Sequence, residues 1–192
     1  MEGHIHQPSV KFSEFSKPLI ALIQDAIEVQ KFLDANENQC TRRMLVRSLF
    51  AYFEGSVWLI KQSCLKATCE VCRKVRSPEN EGLLLDESYE VGENGKVKVR
   101  PRFTPLASNL RFAFSTFSEL SGVEIDVMSE THHWQNFKAA IEIRNRITHP
   151  RSEEDLHISD EEFAKCKDAE NWFNVILHEV MAVMTGDRIE GA

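Results

Sequence analysis

The sequence predicts an all-α fold: an up-down bundle of about five helices with a small β-hairpin insertion. Over several long stretches, apolar residues recur every three or four positions, the spacing of helices with one buried face. One stretch, residues 89–99, instead alternates around Asn94-Gly95, a dipeptide typical of tight hairpin turns. All 192 residues are therefore expected to form one helical domain, with the hairpin inserted at about residues 86–104.

Two helices are predicted before the hairpin, from Pro18 to about Ala35 and from about Thr41 to Arg76. Proline suits the first turn of a helix, and Ser77-Pro78 is expected to break the second one. Apolar spacing gives the second helix a core face of seven residues: Leu45, Leu49, Tyr52, Phe53, Val57, Ile60 and Cys64.

Helical spacing resumes three times after the hairpin, over residues 106–120, 131–149 and 159–186. Gly122 is a stop signal for the first of these helices. Ser159 and Glu162 have the spacing of a capping box and predict the start of the last one. The segment after Pro150 is expected to be an acidic loop that joins two helices.

Composition narrows the class of protein. The chain has no apolar run of the roughly 20 residues that span a bilayer, and its first residues do not resemble a signal peptide. We therefore expect a soluble, cytoplasmic protein. Its five cysteines, an odd number, favour reduced thiols over a disulfide framework. A net charge of −7 argues against a chain coated with polyanion-binding charge, but residues 96–102 form a local basic segment: Lys96, Lys98, Arg100 and Arg102.

Metal ligands and cofactor motifs are weakly represented. Cys64, Cys69 and Cys72 lack a second ligand pair, so a metal enzyme that combines Cys69, Cys72 and a histidine is the least favoured hypothesis. His132 and His133 are adjacent and point in different directions on a helix, and His4 and His6 lie at the terminus. No P-loop, dinucleotide-binding, nucleophile-elbow or zincin motif occurs. We expect neither a metal nor a cofactor.

The sequence "RNRITHP", residues 144–150, is the strongest candidate site. It places Arg144, Asn145 and His149 at a predicted helix end, where Pro150 pushes His149 out of the helical conformation. One interpretation is that Arg144 and His149 are cations favoured at a helix C-terminus by the macrodipole. The other is that the two side chains share a small site for a phosphate.

A helical bundle whose penultimate helix ends in Arg, a polar residue, three more residues and His resembles the HEPN superfamily, whose motif is Arg, four to six residues, then His. The resemblance covers the bundle and this one motif, and the hairpin is a departure from it. It implies a metal-independent endoribonuclease of a toxin-antitoxin, phage-defence or RNA-processing system. Attack by an RNA 2′-OH on the neighbouring phosphorus would use His149 as general acid or base, Arg144 as electrostatic clamp and Asn145 as orienting donor.

The resemblance also implies a homodimer, in which two motifs face one cleft and supply two histidines. The basic segment at residues 96–102 would then guide RNA toward that cleft, or dock an acidic partner. In one toxin subgroup a tyrosine two residues after the histidine is modified by the antitoxin, but Arg151 occupies that position here. The alternative, of a different class, is a noncatalytic interaction module whose hairpin binds another protein.

Overall fold

The computed structural model describes residues 16–67, 77–127, 129 and 131–185. These ranges contain six α-helices: α1 (Ser16–Ala35), α2 (Gln39–Lys66), α3 (Pro78–Leu84), α4 (Leu106–Ser121), α5 (His132–Thr148) and α6 (Asp160–Thr185). Strands β1 (Glu87–Val91) and β2 (Val97–Pro101) pair antiparallel between α3 and α4, and a 3-10 turn (Glu154–Leu156) lies between α5 and α6. The all-α bundle with a hairpin insertion is therefore confirmed. None of these helices has the length and apolarity that crossing a membrane requires.

Local signals in the sequence place the helix ends. Gly122, with φ 69°, ends α4 in the left-handed conformation that glycine adopts without strain. The side chain of Thr131 accepts a hydrogen bond from the Trp134 N–H (3.2 Å) and caps α5. The Ser159 N–H donates to Glu162 Oε2 (3.0 Å) while the Glu162 N–H donates to Ser159 Oγ (3.2 Å). This reciprocal pair is the predicted capping box of α6.

The helix α3 was not predicted, and Ser77-Pro78 begins it instead of acting only as a break. Ser77 Oγ accepts the Asn80 N–H (3.2 Å), and Pro78 takes the first helical position, where its missing N–H costs nothing. The predicted continuation of α2 to Arg76 falls largely on residues 68–76, which lie outside the described ranges.

The helix α2 lies at the centre of the bundle and contacts α1, α4, α5 and α6. All seven residues of its predicted core face are buried. The ring of Phe53 lies 4.6 Å from Phe173, 5.3 Å from Phe50 and 5.5 Å from Phe137, measured between centroids. Aromatic contacts of this kind join α2, α5 and α6 into one core.

The prediction for α1 was partly wrong. The apolar spacing of residues 18–35 predicts that Ile27 lies on the buried stripe, but Ile27 is 48% exposed, whereas Leu33 is buried. Because α1 packs chiefly against α2 alone, its buried stripe is narrower than its apolar face.

An ion pair between a buried lysine and a partly exposed aspartate fastens the hairpin to the bundle. The side chain of Lys61, only 1% exposed, donates from Nζ to Asp86 Oδ1 (2.5 Å) and to Asn109 Oδ1 (3.1 Å). Asp86 has φ 54°, a conformation that aspartate tolerates better than most residues. Its carbonyl accepts the Arg102 N–H (2.7 Å), so the entry and the exit of the hairpin meet at one residue.

Asp86→Asn is expected to lower the free energy of unfolding by about 2–3 kcal/mol, because it leaves the buried Lys61 ammonium without a counter-charge. Asparagine keeps the shape and the tolerance for positive φ, so the effect reports the charge. Urea unfolding measures it. Combining Asp86→Asn with Lys61→Met should restore most of the loss, and Glu87→Gln, at a neighbouring hairpin position, is the control. Equal stability of Asp86→Asn and the native chain would contradict a role for the pair.

Candidate functional site

The end of α5 releases His149 as the sequence predicts. The helix ends at Thr148, and His149 follows with φ −125° and ψ 59°, outside the helical region. Its N–H still donates to the Asn145 carbonyl (3.0 Å), which ties the backbone to the last turn. The imidazole is on an exposed residue and accessible to a ligand.

Arg144 is held against α2. Its guanidinium forms an ion pair with Glu54 and lies over the ring of Phe50, 4.9 Å from the centroid. The side chain is 23% exposed, and its buried Nε–H has no hydrogen-bond partner among the described residues. The guanidinium is thus positioned by two residues of α2, and Glu54 compensates its charge.

A groove of about 930 Å³ runs beside α5 and includes Arg144 and Asn145 in its wall. The charged residues that line it are three cations and three acids: Arg102, Lys138 and Arg144, with Glu54, Asp86 and Glu142. His149 is not part of this wall. The structure therefore brings Arg144 and Asn145 together in a groove of balanced charge that does not include His149.

The four cations of the basic segment do not stay together. Arg102 joins the groove, whereas Lys96, Lys98 and Arg100 lie along the exposed side of the hairpin. Lys98 is directly opposite Glu90 in the strand register. Arg100 also donates to Glu90 Oε1 from Nε (2.9 Å) and Nη2 (2.7 Å). Glu90 thus offsets part of the positive charge of the hairpin.

The second arginine of the motif, Arg146, holds the loop after α5. It donates to the carbonyls of Asp155 (3.2 Å) and His157 (2.9 Å) and to Glu162 Oε1 (2.7 Å). Because these contacts hold the loop and the start of α6, Arg146 has a structural task, in contrast to Arg144.

Two arginines of α2 that were not predicted as site residues also reach this end of the bundle. Arg47 Nη2 donates to the Ile147 carbonyl (2.7 Å), and Arg43 Nη1 donates to the Leu156 carbonyl (2.8 Å). Their spacing of four residues puts both on one face of α2, which the sequence shows. Which helix that face meets is decided only by the packing.

A second polar recess, of about 560 Å³, lies beside the start of α2. Its arginine, Arg42, is paired with both Glu37 and Asp160. A guanidinium that two carboxylates already engage is a poor site for an added anion.

A separate cluster joins the start of α5 to α6. His133 Nδ1 lies 2.9 Å from both oxygens of Asp168, and the buried Asn136 donates to Asp168 Oδ2 (2.9 Å). His132 Nε2 lies 2.9 Å from the Asn136 amide nitrogen. Burial raises the pKa of the Asp168 carboxyl, but the hydrogen bonds from Asn136 and His133 outweigh it, so this pKa lies below its usual value.

Asp168→Asn is expected to lower the free energy of unfolding by about 1.5 kcal/mol near pH 5, because the hydrogen bonds to a carboxylate are lost. The pKa of the carboxyl is lower in the folded state than in the unfolded chain, where it is about 3.9. The stabilisation is therefore fully present above about pH 3.9 and is lost as the pH falls through the lower pKa of the folded state. Urea unfolding at pH 5 and pH 3 should therefore show a smaller difference at pH 3. Glu179→Gln, at an exposed position of the same helix, should change nothing measurable. A difference independent of pH would contradict this account.

The described residues do not form a metal site or a site with a reactive cysteine. No group of three or more His, Cys, Asp and Glu side chains within them is arranged to hold a metal ion. Cys64 packs in the core, while Cys69, Cys72, His4 and His6 lie outside the described ranges. Burial raises the pKa of the Cys166 thiol to about 12, which keeps that sulfur protonated and unreactive.

The fold and the site define an all-α bundle that carries an arginine–histidine pair at the end of one helix. No protein-family model matches the chain, and no curated protein or solved structure shows a significant match to it. A functional assignment therefore depends on the motif and its geometry.

Proposed function

We propose that the protein is a metal-independent endoribonuclease of the HEPN type, acting in the cytoplasm. The observation that carries the proposal is the geometry at the end of α5. His149 leaves the helix and is exposed, while Arg144, one and a half turns earlier, is positioned by Phe50 and Glu54. An ordinary helix end needs no such support for its arginine from a neighbouring helix.

The proposed reaction is attack of an RNA 2′-oxygen on the adjacent phosphorus. One histidine accepts the 2′-OH proton as the new P–O bond forms, and a second donates a proton to the 5′-oxygen as its bond to phosphorus breaks. The products are a 2′,3′-cyclic phosphate and a 5′-OH. Histidine suits both proton transfers near neutral pH, and Arg144 stabilises the negative charge that develops on the phosphorane oxygens.

Two histidines require two copies of the motif. We therefore propose a homodimer in which α5 lies at or beside the contact and two His149 side chains face one cleft. In the absence of RNA, the Glu54 carboxylate then occupies the position of a phosphate beside Arg144. When RNA binds, the ion pair between Glu54 and Arg144 breaks. Sedimentation at micromolar concentration should show a dimer, and a monomer would count against paired catalysis.

The proposed activity is tested with purified protein and a mixed RNA pool in excess EDTA. We expect cleavage that resists the chelator and leaves cyclic phosphate ends. RNA of the same sequence with 2′-O-methyl groups should stay intact because it lacks the attacking hydroxyl. Unmodified RNA that remains intact at high protein excess would contradict the nuclease.

The second candidate, a noncatalytic protein-interaction module, is favoured by one observation. The hairpin presents four apolar side chains on one exposed face: Tyr89, Val91, Val97 and Val99. Phe103, just after the hairpin, is 90% exposed. Exposed apolar area of this kind is typical of surfaces that bind other proteins. Intact RNA in the assay above would favour this candidate.

A further inference from the structure

The two arginines of the motif supply no uncompensated positive charge beside His149. Arg144 is compensated by Glu54, and Arg146 is bound to Glu162. A phosphodiester beside His149 needs positive charge that no carboxylate already neutralises. Such charge is present on other residues near the end of α5.

Arg43 and Arg47, which we call the α2 arginine pair, meet this requirement. Each is hydrogen-bonded to a backbone carbonyl, and neither has a carboxylate within ion-pair distance in the part of the chain that the structure describes. A carbonyl orients a guanidinium without cancelling its full charge. The pair therefore differs from Arg42, Arg100 and Arg144, which all face carboxylates.

The position of Arg47 places this charge beside His149. The carbonyl it binds belongs to Ile147, two residues before His149, and consecutive Cα atoms are about 3.8 Å apart. This carbonyl is among the last four of α5, which have no partner within the helix. Arg47 is exposed, and a guanidinium has five N–H donors, so those it does not use at Ile147 remain for a phosphate.

Arg43 extends the charge by one turn of α2. It donates to the carbonyl of Leu156 in the loop that follows His149. The Asp155 carboxylate of this loop accepts the N–H groups of Arg151 (2.7 Å) and Ser152 (3.2 Å), so it is engaged by the loop's own backbone. The two guanidinium groups thus contact one backbone carbonyl shortly before the exposed histidine in the chain and one after it.

We propose that Arg43 and Arg47 bind consecutive backbone phosphates of single-stranded RNA and hold the strand next to His149. This inference rests on the proposed nuclease function for the identity of the strand, but binding is measured separately from cleavage. It assigns the main RNA contact to α2 and not to the hairpin cations, three of which lie beside Glu90 or in the mixed-charge groove.

The test measures binding of a fluorescein-labelled 2′-O-methyl oligoribonucleotide, which cannot be cleaved, by fluorescence anisotropy over a range of KCl concentrations. Arg43→Gln and Arg47→Gln keep a side-chain N–H for the carbonyl and remove the charge. Each should lower affinity about tenfold near 0.1 M salt and reduce the slope of log affinity against log salt by about 0.7. Lys31→Gln, on an exposed side chain of α1, is the matched control and should leave both values near those of the native chain, and Arg100→Gln on the hairpin should lower affinity less than Arg47→Gln does. Melting temperatures of all variants should agree.

Several outcomes overturn the inference: no binding by the native chain, unchanged affinity in both α2 variants, or a larger loss in Arg100→Gln than in Arg47→Gln. Equal competition by polyglutamate of the same total charge would also overturn it, since that result indicates an acidic protein as the partner. Failure of the two proposals is distinguishable. If unmodified RNA is cut while the α2 variants bind normally, the nuclease stands and the α2 arginine pair is excluded. If RNA is never cut but binding depends on the pair, the pair stands without the nuclease.

Discussion

His149→Ala is expected to lower RNA cleavage by about a hundredfold or more while the bundle stays folded, because general acid–base catalysis typically contributes at least that factor. Single-turnover cleavage of a labelled RNA in EDTA measures it. The matched control is His178→Ala, an exposed histidine of α6, which should cleave at the native rate. Thermal unfolding of both variants should be close to that of the native chain.

Arg144→Ala should lower RNA cleavage by a comparable factor, because stabilisation of the charge in the transition state contributes about as much to the rate as acid–base catalysis does. Arg144→Lys is the sharper variant. It keeps the charge that a helix C-terminus favours but removes the planar fork that a phosphate or the Glu54 carboxylate engages. If Arg144 and His149 serve only the helix end, each removal costs about 1 kcal/mol of stability with no selective effect on cleavage. Near-native cleavage by a protein carrying both Arg144→Lys and His149→Ala would exclude this motif as the active site.

Phe53→Ala should produce the largest loss of stability among single substitutions in the core, about 3–5 kcal/mol. The side chain is 1% exposed and contacts aromatic rings of α2, α5 and α6, so its removal leaves a cavity that three helices would have to close. Urea unfolding measures the change. The control is Val175→Ala, at a position 61% exposed on α6, which should alter stability by less than about 0.5 kcal/mol.

Phe53→Ala should also affect the candidate site at the end of α5. Phe50, which lies under the Arg144 guanidinium, packs against Phe53 with an interplanar angle of 72°. A cavity at Phe53 should therefore loosen the support of Arg144 and lower cleavage even at temperatures where the variant is folded. If Phe53→Ala lowers the free energy of unfolding by less than about 1 kcal/mol, the core does not depend on the Phe53 ring.

Local chemistry explains which elements were predictable. A capping box, a left-handed glycine or a helix-ending proline acts over a few residues, so Ser159, Gly122 and Pro150 mark boundaries that the structure confirms. The start of α3 was missed for a related reason. Ser77-Pro78 carries both a breaking signal and a starting signal, and the pair alone does not say which one prevails.

Periodicity identified buried faces but not their neighbours. The core face of α2 was predicted correctly because that helix is surrounded, whereas Ile27 of α1 is half exposed because α1 has α2 as its main partner. The number of helices that cover a face is a property of the assembled bundle. Apolar spacing within one helix carries no information about it.

For the candidate site, the sequence alone was enough to place Arg144, Asn145 and His149 at a helix end and to turn His149 out of the helix. Tertiary structure decided their surroundings. Glu54, which engages Arg144, is 90 positions away in the chain, and Arg47 reaches the Ile147 carbonyl across 100 positions. Contacts at such separations depend on how whole helices pack, so the electrostatic environment of the motif emerges only when α2 and α5 lie side by side.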